Sequence, residues 1–398
     1  MQKFYLKKVF FILFFDLLAF SVIVPLLPLL FLDSNFFLHH MPYATRVIYL
    51  GLLYAAYPLA QSLASPFWAK VADRLGRREV LRLSFIGNML GYLFSAYGVV
   101  KGEVIYLFLG NGLAGFLGMN LSTMHALISD HYEGVKRVQY FGVVQFLLGL
   151  AFALGPFIAA RLTVSVPQVE TLVLFLFILA SLVSLFNAFF ISQIPASDSG
   201  MEKRSIDVLS KKIRKEVAFP LLLIFLTTFG WYLFIKSFQV FLLKMGQYDA
   251  KEILQLVSFY GLSAVLSQGF FLTSIYKKLH AKMVLSLALG GLSLSILTFA
   301  LKPTLSLLYL NIFVITFCQS LIVPNLLAIF SQNHPSTIAG QMMSRHQGVV
   351  SLAKILAPAC SGLLIAIHPS FSIVVSAIVI GTVFAMVPLL FKEKTATL

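Results

Sequence analysis

Long apolar runs, broken by short polar segments, set the pattern of this chain. A helix needs about 20 apolar residues to cross the hydrocarbon core of a bilayer. Twelve runs meet that length. The first six start near Lys8, Val47, Val80, Val104, Val138 and Thr171, and the second six near Phe219, Glu252, Lys282, Leu305, Gly348 and Ser370. Such lengths predict helices, since barrel strands need only about 10 residues of alternating pattern. The first run continues to Leu32, too long for the core of a cleaved signal peptide, so it is expected to remain as the first span.

Composition agrees with the pattern. Of 398 residues, 59% are hydrophobic and 11% charged, too few charges to cover a water-soluble surface. Lys and Arg number 30 against 15 Asp and Glu. A basic excess can mean nucleic acid, but here the basic residues sit between the apolar runs. Counted over alternate connecting segments, one side holds 21 Lys and Arg and the other 6. The positive-inside rule then puts both termini in the cytoplasm and makes lipid, not nucleic acid, the partner. Cys318 and Cys360 lie in apolar runs and read as packing residues. No disulfide, metal site or cofactor is expected.

Residues 193–217 form the longest polar stretch and divide the chain into 1–192 and 218–398. Within them Ile206, Leu209, Ile213 and Val217 recur at helical spacing among lysines. This fits an amphipathic helix on the membrane face or a plain solvated linker. The two halves echo one another. Gly155-Pro156 with Ala159-Ala160 in span five matches Ala357-Pro358 with Ser361-Gly362 in span eleven. Two pseudo-symmetric six-helix bundles with a site between them follow from such a repeat.

The segment Ala69-Lys70-Val71-Ala72-Asp73-Arg74-Leu75-Gly76-Arg77-Arg78 resembles the signature loop of the major facilitator superfamily, Gly-x-Leu-Ala-Asp-Arg-x-Gly-Arg-Arg/Lys between spans two and three. The first half is similar to the drug–proton antiporters of that family, the tetracycline-efflux type in particular. Phe15-Asp16 followed by Val24-Pro25-Leu26-Leu27-Pro28 matches their first helix. Gly142, Ala151, Gly155, Pro156, Ala159 and Ala160 follow their small-residue motif in span five, with alanine at three glycine positions. Asn111 stands where these proteins carry an arginine tied to proton coupling, so the resemblance leaves that role unfilled. The resemblance implies a monomeric carrier in a bacterial inner membrane that exchanges protons for a small organic substrate. It also implies a cytoplasmic gate. Asp73 would meet the N-terminus of span eleven, where the helix dipole favours a carboxylate. Arg74, Arg77 and Arg78 surround it, and Arg77 would pair with Asp130.

Asp16 is the one acid of 15 well inside a span. An ionised acid there costs about 2.5–3.5 kcal/mol on insertion scales, so it marks a site. It is a candidate proton carrier on the stripe Asp16, Phe20, Ile23, Leu27, or a carboxylate hydrogen-bonded between helices. Lys236 shares a polar face of span seven with Thr228, Tyr232 and Gln239, beside Trp231, and Lys354 lies near the middle of span eleven. Either lysine can contact substrate. Lys236 can instead snorkel to the headgroups, and Lys354 can bond between helices. In span four Asn111, Gly115, Gly118, Ser122, His125 and Ser129 share a face that lines a cavity or allows close packing. His125 can share protons or make a structural hydrogen bond. Gln145, Gln268, Gln319 and Tyr260 are further polar candidates within spans.

Two functions remain. One is proton-coupled efflux of amphiphilic compounds, its direction resting on the resemblance. The other is transport, in either direction, of an anionic metabolite such as a carboxylate siderophore, because Lys236 and Lys354 outnumber Asp16, with Arg345 at an entrance. No His-Glu-x-x-His, Gly-x-Ser-x-Gly or Walker loop occurs, which argues against a membrane enzyme. A channel would not need the repeat and the gate motif, which favour alternating access.

Overall fold

The computed structural model describes residues 2–32, 36–132, 134–166, 168–193, 215–245, 248–267, 280–301, 304–332 and 339–392. Helices account for nearly all of them, and no strand occurs among the described residues. They are α1 (Gln2–Ile23), α2 (Leu27–Leu32), α3 (Tyr43–Leu75), α4 (Arg77–Lys101), α5 (Val104–Leu117), α6 (Asn120–His131), α7 (Gly134–Ser165) and α8 (Val169–Ser192). The second half holds α9 (Lys215–Met245), α10 (Ala250–Leu266), α11 (Ala281–Phe299), α12 (Leu305–Gln332), α13 (Ala339–Ile367) and α14 (Phe371–Lys392).

Eleven stretches among the described residues are long and apolar enough to cross a membrane. The expected eighth span is α10, which has 17 described residues. Some helices start before the apolar runs, α4 at Arg77 where Val80 was expected and α13 at Ala339 where Gly348 was. In those two the polar residues ahead of the run are already helical. The possible amphipathic helix of the linker lies outside the described residues, as do residues 194–214 altogether.

Two spans are interrupted. The first is one apolar run, yet Val24–Leu26 form a 3-10 turn between α1 and α2 where Pro25 lacks an N–H. The fourth breaks between α5 and α6, with Gly118 at φ −76°, ψ 78°. A Cβ on Gly118 would meet Ala114 O and lie 2.7 Å from the Tyr57 hydroxyl, so only glycine fits the bend. The freed carbonyls are satisfied from α3: Gln61 Nε2 donates to Gly118 O at 2.6 Å and Trp68 Nε1 to Phe116 O at 2.6 Å. Met119 N donates to Ser84 Oγ of α4 at 3.1 Å. Water is scarce at this depth, so such partners are required.

Helix α8 shows why the fold needs lipid. Leu172, Leu176, Ala180, Ser184 and Asn187 are buried along one face. Phe175, Leu179, Leu182, Phe186 and Phe189 are exposed along the other. A helix apolar all round is at home in a bilayer.

The chain forms two compact units. Unit one is Met1–Arg46, Ala56–Ser205 and Asp249–Gly261, and unit two is Val47–Ala55, Ile206–Tyr248 and Leu262–Leu398. In unit one α1 packs on α7 and α8, and α4 on α5 and α8. In unit two α9 packs on α13 and α14, and α11 on α12 and α14. Numbered by span, the pairings 1–5, 1–6, 3–4 and 3–6 recur as 7–11, 7–12, 9–10 and 9–12, which is the internal repeat expressed as packing.

Small residues explain why two short pieces join these units. In unit two a Cβ on Gly51 would come 2.6 Å from Pro358 O and 3.0 Å from Gly362 Cα, so the start of α3 lies backbone to backbone on α13. In unit one Ser258 Oγ of α10 donates to Ala153 O of α7 at 2.8 Å. A Cβ on Gly261 would come 2.5 Å from Ala153 N.

Candidate functional site

Asp16 projects from α1 into the interior of unit one and is 7% exposed. Oδ1 accepts an N–H from Asn88 of α4 at 3.1 Å, and Oδ2 accepts one from Asn120 of α6 at 2.7 Å. Tyr57 and Tyr92 lie within electrostatic reach of the carboxyl. One turn earlier, Ile12 and Leu13 enter an apolar core with Phe85 and Met124. Of the stripe Asp16, Phe20, Ile23 and Leu27, Phe20 is exposed while the other three are buried. The carboxyl therefore lies inside the bundle.

The broken fourth span builds this cradle. Asn120 is the first residue of α6, directly after the Gly118–Met119 bend. The bend directs its amide at α1, and a helix N-terminus itself favours a nearby negative charge. Asn120 Oδ1 is buried without a hydrogen-bond partner. An amide suits a titrating acid: its N–H donates to the ionised form, and after a turn of the side chain its C=O accepts from the protonated form. Asn88 and Asn120 went unnoticed in the sequence. The signal was present, because amides inside apolar runs are costly unless they are partnered.

Unit two holds the basic groups. Lys236 Nζ lies 4.3 Å from the centre of the Tyr54 ring, and Lys354 Nζ lies 5.7 Å from that of Tyr232. The two ammonium groups feel each other's charge. Lys236 and Tyr54 also line a small pocket with Leu50, Val240, Ser361 and Ile365. The polar face expected on α9 is only partly realised: Tyr232 and Lys236 are half-buried, while Gln239 is buried with Nε2 unpartnered. Trp231 is buried and lies 6.0 Å from Phe234, ring to ring. Nothing in the sequence sets Tyr54 apart from the other 14 tyrosines.

The remaining candidates are scattered. Gln145 is exposed, Tyr260 half-buried, and Gln319 half-buried with a buried, unpartnered Oε1. His125 meets Phe141 edge to face at 5.1 Å. Gln268 lies outside the described residues, as do the side chains of Asp73 and Asp130. At the basic loop Gly76, with φ 81°, separates α3 from α4, a conformation only glycine takes without strain. Arg78 and Arg82 both bind Glu79 at 2.8 Å, an acid that sequence reading passed over. Arg74 is exposed and Arg77 half-buried.

In the span-five motif Gly155 and Pro156 are buried. A Cβ on Gly155 would collide with Ser21, whose Oγ donates to Ala151 O at 2.7 Å. Gly142 is exposed, with open space beside it. Pro358 is buried against Gly51.

A family model described as the Major Facilitator Superfamily matches residues 9–300 and 255–397. The class B tetracycline resistance protein of Escherichia coli is 34% identical over 146 residues, 36% of this chain and 33% of that protein. The matched stretch thus spans about a third of the length of the first curated relatives. The quinolone resistance protein NorA of Staphylococcus aureus (strain COL) is 24% identical over 405 residues, covering 98% of this chain and 97% of NorA. A crystal structure of a D-xylose–proton symporter matches with a TM-score of 0.76 at 14% identity, over 96% of this chain and 97% of the other. That likeness shows a shared fold.

Proposed function

This chain belongs to the Major Facilitator Superfamily, a family of carriers rather than enzymes, and on that premise we propose that it exports amphiphilic organic compounds in exchange for protons. The observation that carries the proposal is Asp16, a membrane-buried acid held between Asn88 and Asn120. A structural carboxylate gains most from fixed, charge-complementary partners such as Arg. Two neutral amides serve either protonation state, as a proton carrier needs. Export is supported by the names of the relatives, which are resistance proteins. In this reading the protein is a monomer in a bacterial inner membrane, with both termini cytoplasmic and the halves 1–192 and 218–398 rocking about residues 193–217. Asp73, Arg74, Arg77, Arg78 and Asp130 then form the cytoplasmic gate.

The test is transport by full-length protein in proteoliposomes with an acidic lumen. Ethidium and 1-pyrenebutyrate serve as probes, with protein-free vesicles as control. Exchange predicts that at least one probe accumulates inside as protons leave, and that dissipating the gradient abolishes accumulation. Accumulation of neither, or accumulation that survives collapse of the gradient, contradicts the proposal.

A further inference from the structure

We infer that the exported amphiphile is an anion, and that Lys236 and Lys354 of unit two bind its carboxylate-type head group. This rests on the transporter reading above and narrows its substrate class. A cation inside a membrane span is costly and needs a partner. No acid lies within the spans of unit two to supply one. Span Ala218–Lys244 contains no Asp or Glu, and none occurs anywhere from residue 253 to residue 392. The one acid well inside a span, Asp16, belongs to unit one, and both its oxygens accept from amides there.

Each lysine has a tyrosine ring beside it. Tyr54 and Tyr232 present ring faces to the two ammonium groups. A cation–π contact contributes about 0.5–2 kcal/mol and leaves the charge unneutralised. Escape to the headgroups is not open to either side chain. Lys236 stands eight residues inside the end of its span at Lys244, about 12 Å along the axis. Lys354 is nine residues from Arg345 at the nearer end of its own span, about 14 Å.

The two charges also repel one another. An anion shared between them removes that repulsion and supplies the missing counter-charge at once. The pocket beside Lys236 shows what else the ligand carries. Ser361 adds a hydroxyl donor, while Leu50, Val240, Ile365 and the Tyr54 ring form an apolar wall. The site therefore suits a carboxylate, or another compact organic anion, attached to an apolar group. A permanent cation would face two like charges.

The test compares three probes of one shape, 1-pyrenebutyrate, 1-pyrenebutanamide and 1-pyrenebutylamine, binding to purified full-length protein in nanodiscs. The butyrate is expected to bind about tenfold or more tightly than the amide, and the amine weakest, as a charge-assisted hydrogen bond in a desolvated site implies. Lys236→Gln and Lys354→Gln should each erase most of the butyrate's advantage without changing the amide, while Lys236→Arg keeps it. Equal binding of butyrate and amide by the wild type, a comparison that needs no variant, overturns the inference. So does an advantage that survives both glutamine substitutions. Failure of the transporter reading looks different: lysine-dependent butyrate binding without gradient-driven accumulation upholds the anion site and contradicts export. Accumulation of ethidium with no preference for the butyrate upholds export and contradicts the anion site.

Discussion

Asn120 donates its side-chain N–H to Oδ2 of Asp16 at 2.7 Å, from the first residue of a half-helix that begins just after a glycine bend. The bend and the bond belong together. A continuous fourth span would carry residue 120 round its own axis, whereas the break at Gly118 turns the new helix's first residue towards α1.

Removing that donor should therefore be felt. Asn120→Ala leaves Asp16 with Asn88 alone and is expected to cost about 1–2 kcal/mol, between the value of a membrane interhelical bond and that of a charge-assisted one. A thermal unfolding series in detergent measures it. Asn88→Ala, at the longer 3.1 Å contact, should cost less. Equal stability of Asn120→Ala and wild type would count against the cradle.

The span-five glycines should divide sharply. Gly155→Ala places a methyl on Ser21 and is expected to lose about 1–3 kcal/mol by overpacking. Adding Ser21→Gly should recover only part of the loss, because Ser21 C would still lie 2.6 Å from the new Cβ. Gly142→Ala, with open space beside it, should be neutral or slightly stabilising. Unfolding midpoints of the four proteins decide the point, and equal effects of the two alanines would contradict the packing described.

Gly51→Ala probes unit two in the same way. The new methyl would meet Pro358 O at 2.6 Å and Gly362 Cα at 3.0 Å, backbone atoms that cannot rotate aside. A loss of about 1–3 kcal/mol is expected, against none for Gly112→Ala, which has no neighbour within 4 Å. A midpoint for Gly51→Ala equal to that of Gly112→Ala would remove the contact between α3 and α13.

Much of this was legible in the sequence, and the reasons are particular. The twelve apolar runs, the repeat and the Gly76 loop are one-dimensional signals, and hydrophobicity alone carries them. Asp16 stood out for the same reason, being a charge in hydrocarbon. Its surroundings did not, because Asn88 and Asn120 lie 72 and 104 positions away and meet it only through tertiary packing. The bend at Gly118 was equally hidden. The glycine was visible, but glycines also serve close packing, as Gly155 does against Ser21. The lysines were found from their charge, and their aromatic partner Tyr54 was not, since a tyrosine near an apolar run has no distinctive neighbours in sequence.

The central claim is that Asp16 carries the exchanged proton, and proton movement itself tests it most directly. Proteoliposomes with an acidic lumen and an enclosed pH-sensitive dye should report alkalinisation when a transported probe is added outside. Wild type is expected to show this release. Asp16→Asn is expected to bind the probe with unchanged affinity and to release no protons. Probe-induced proton release at the wild-type rate by Asp16→Asn would contradict the account.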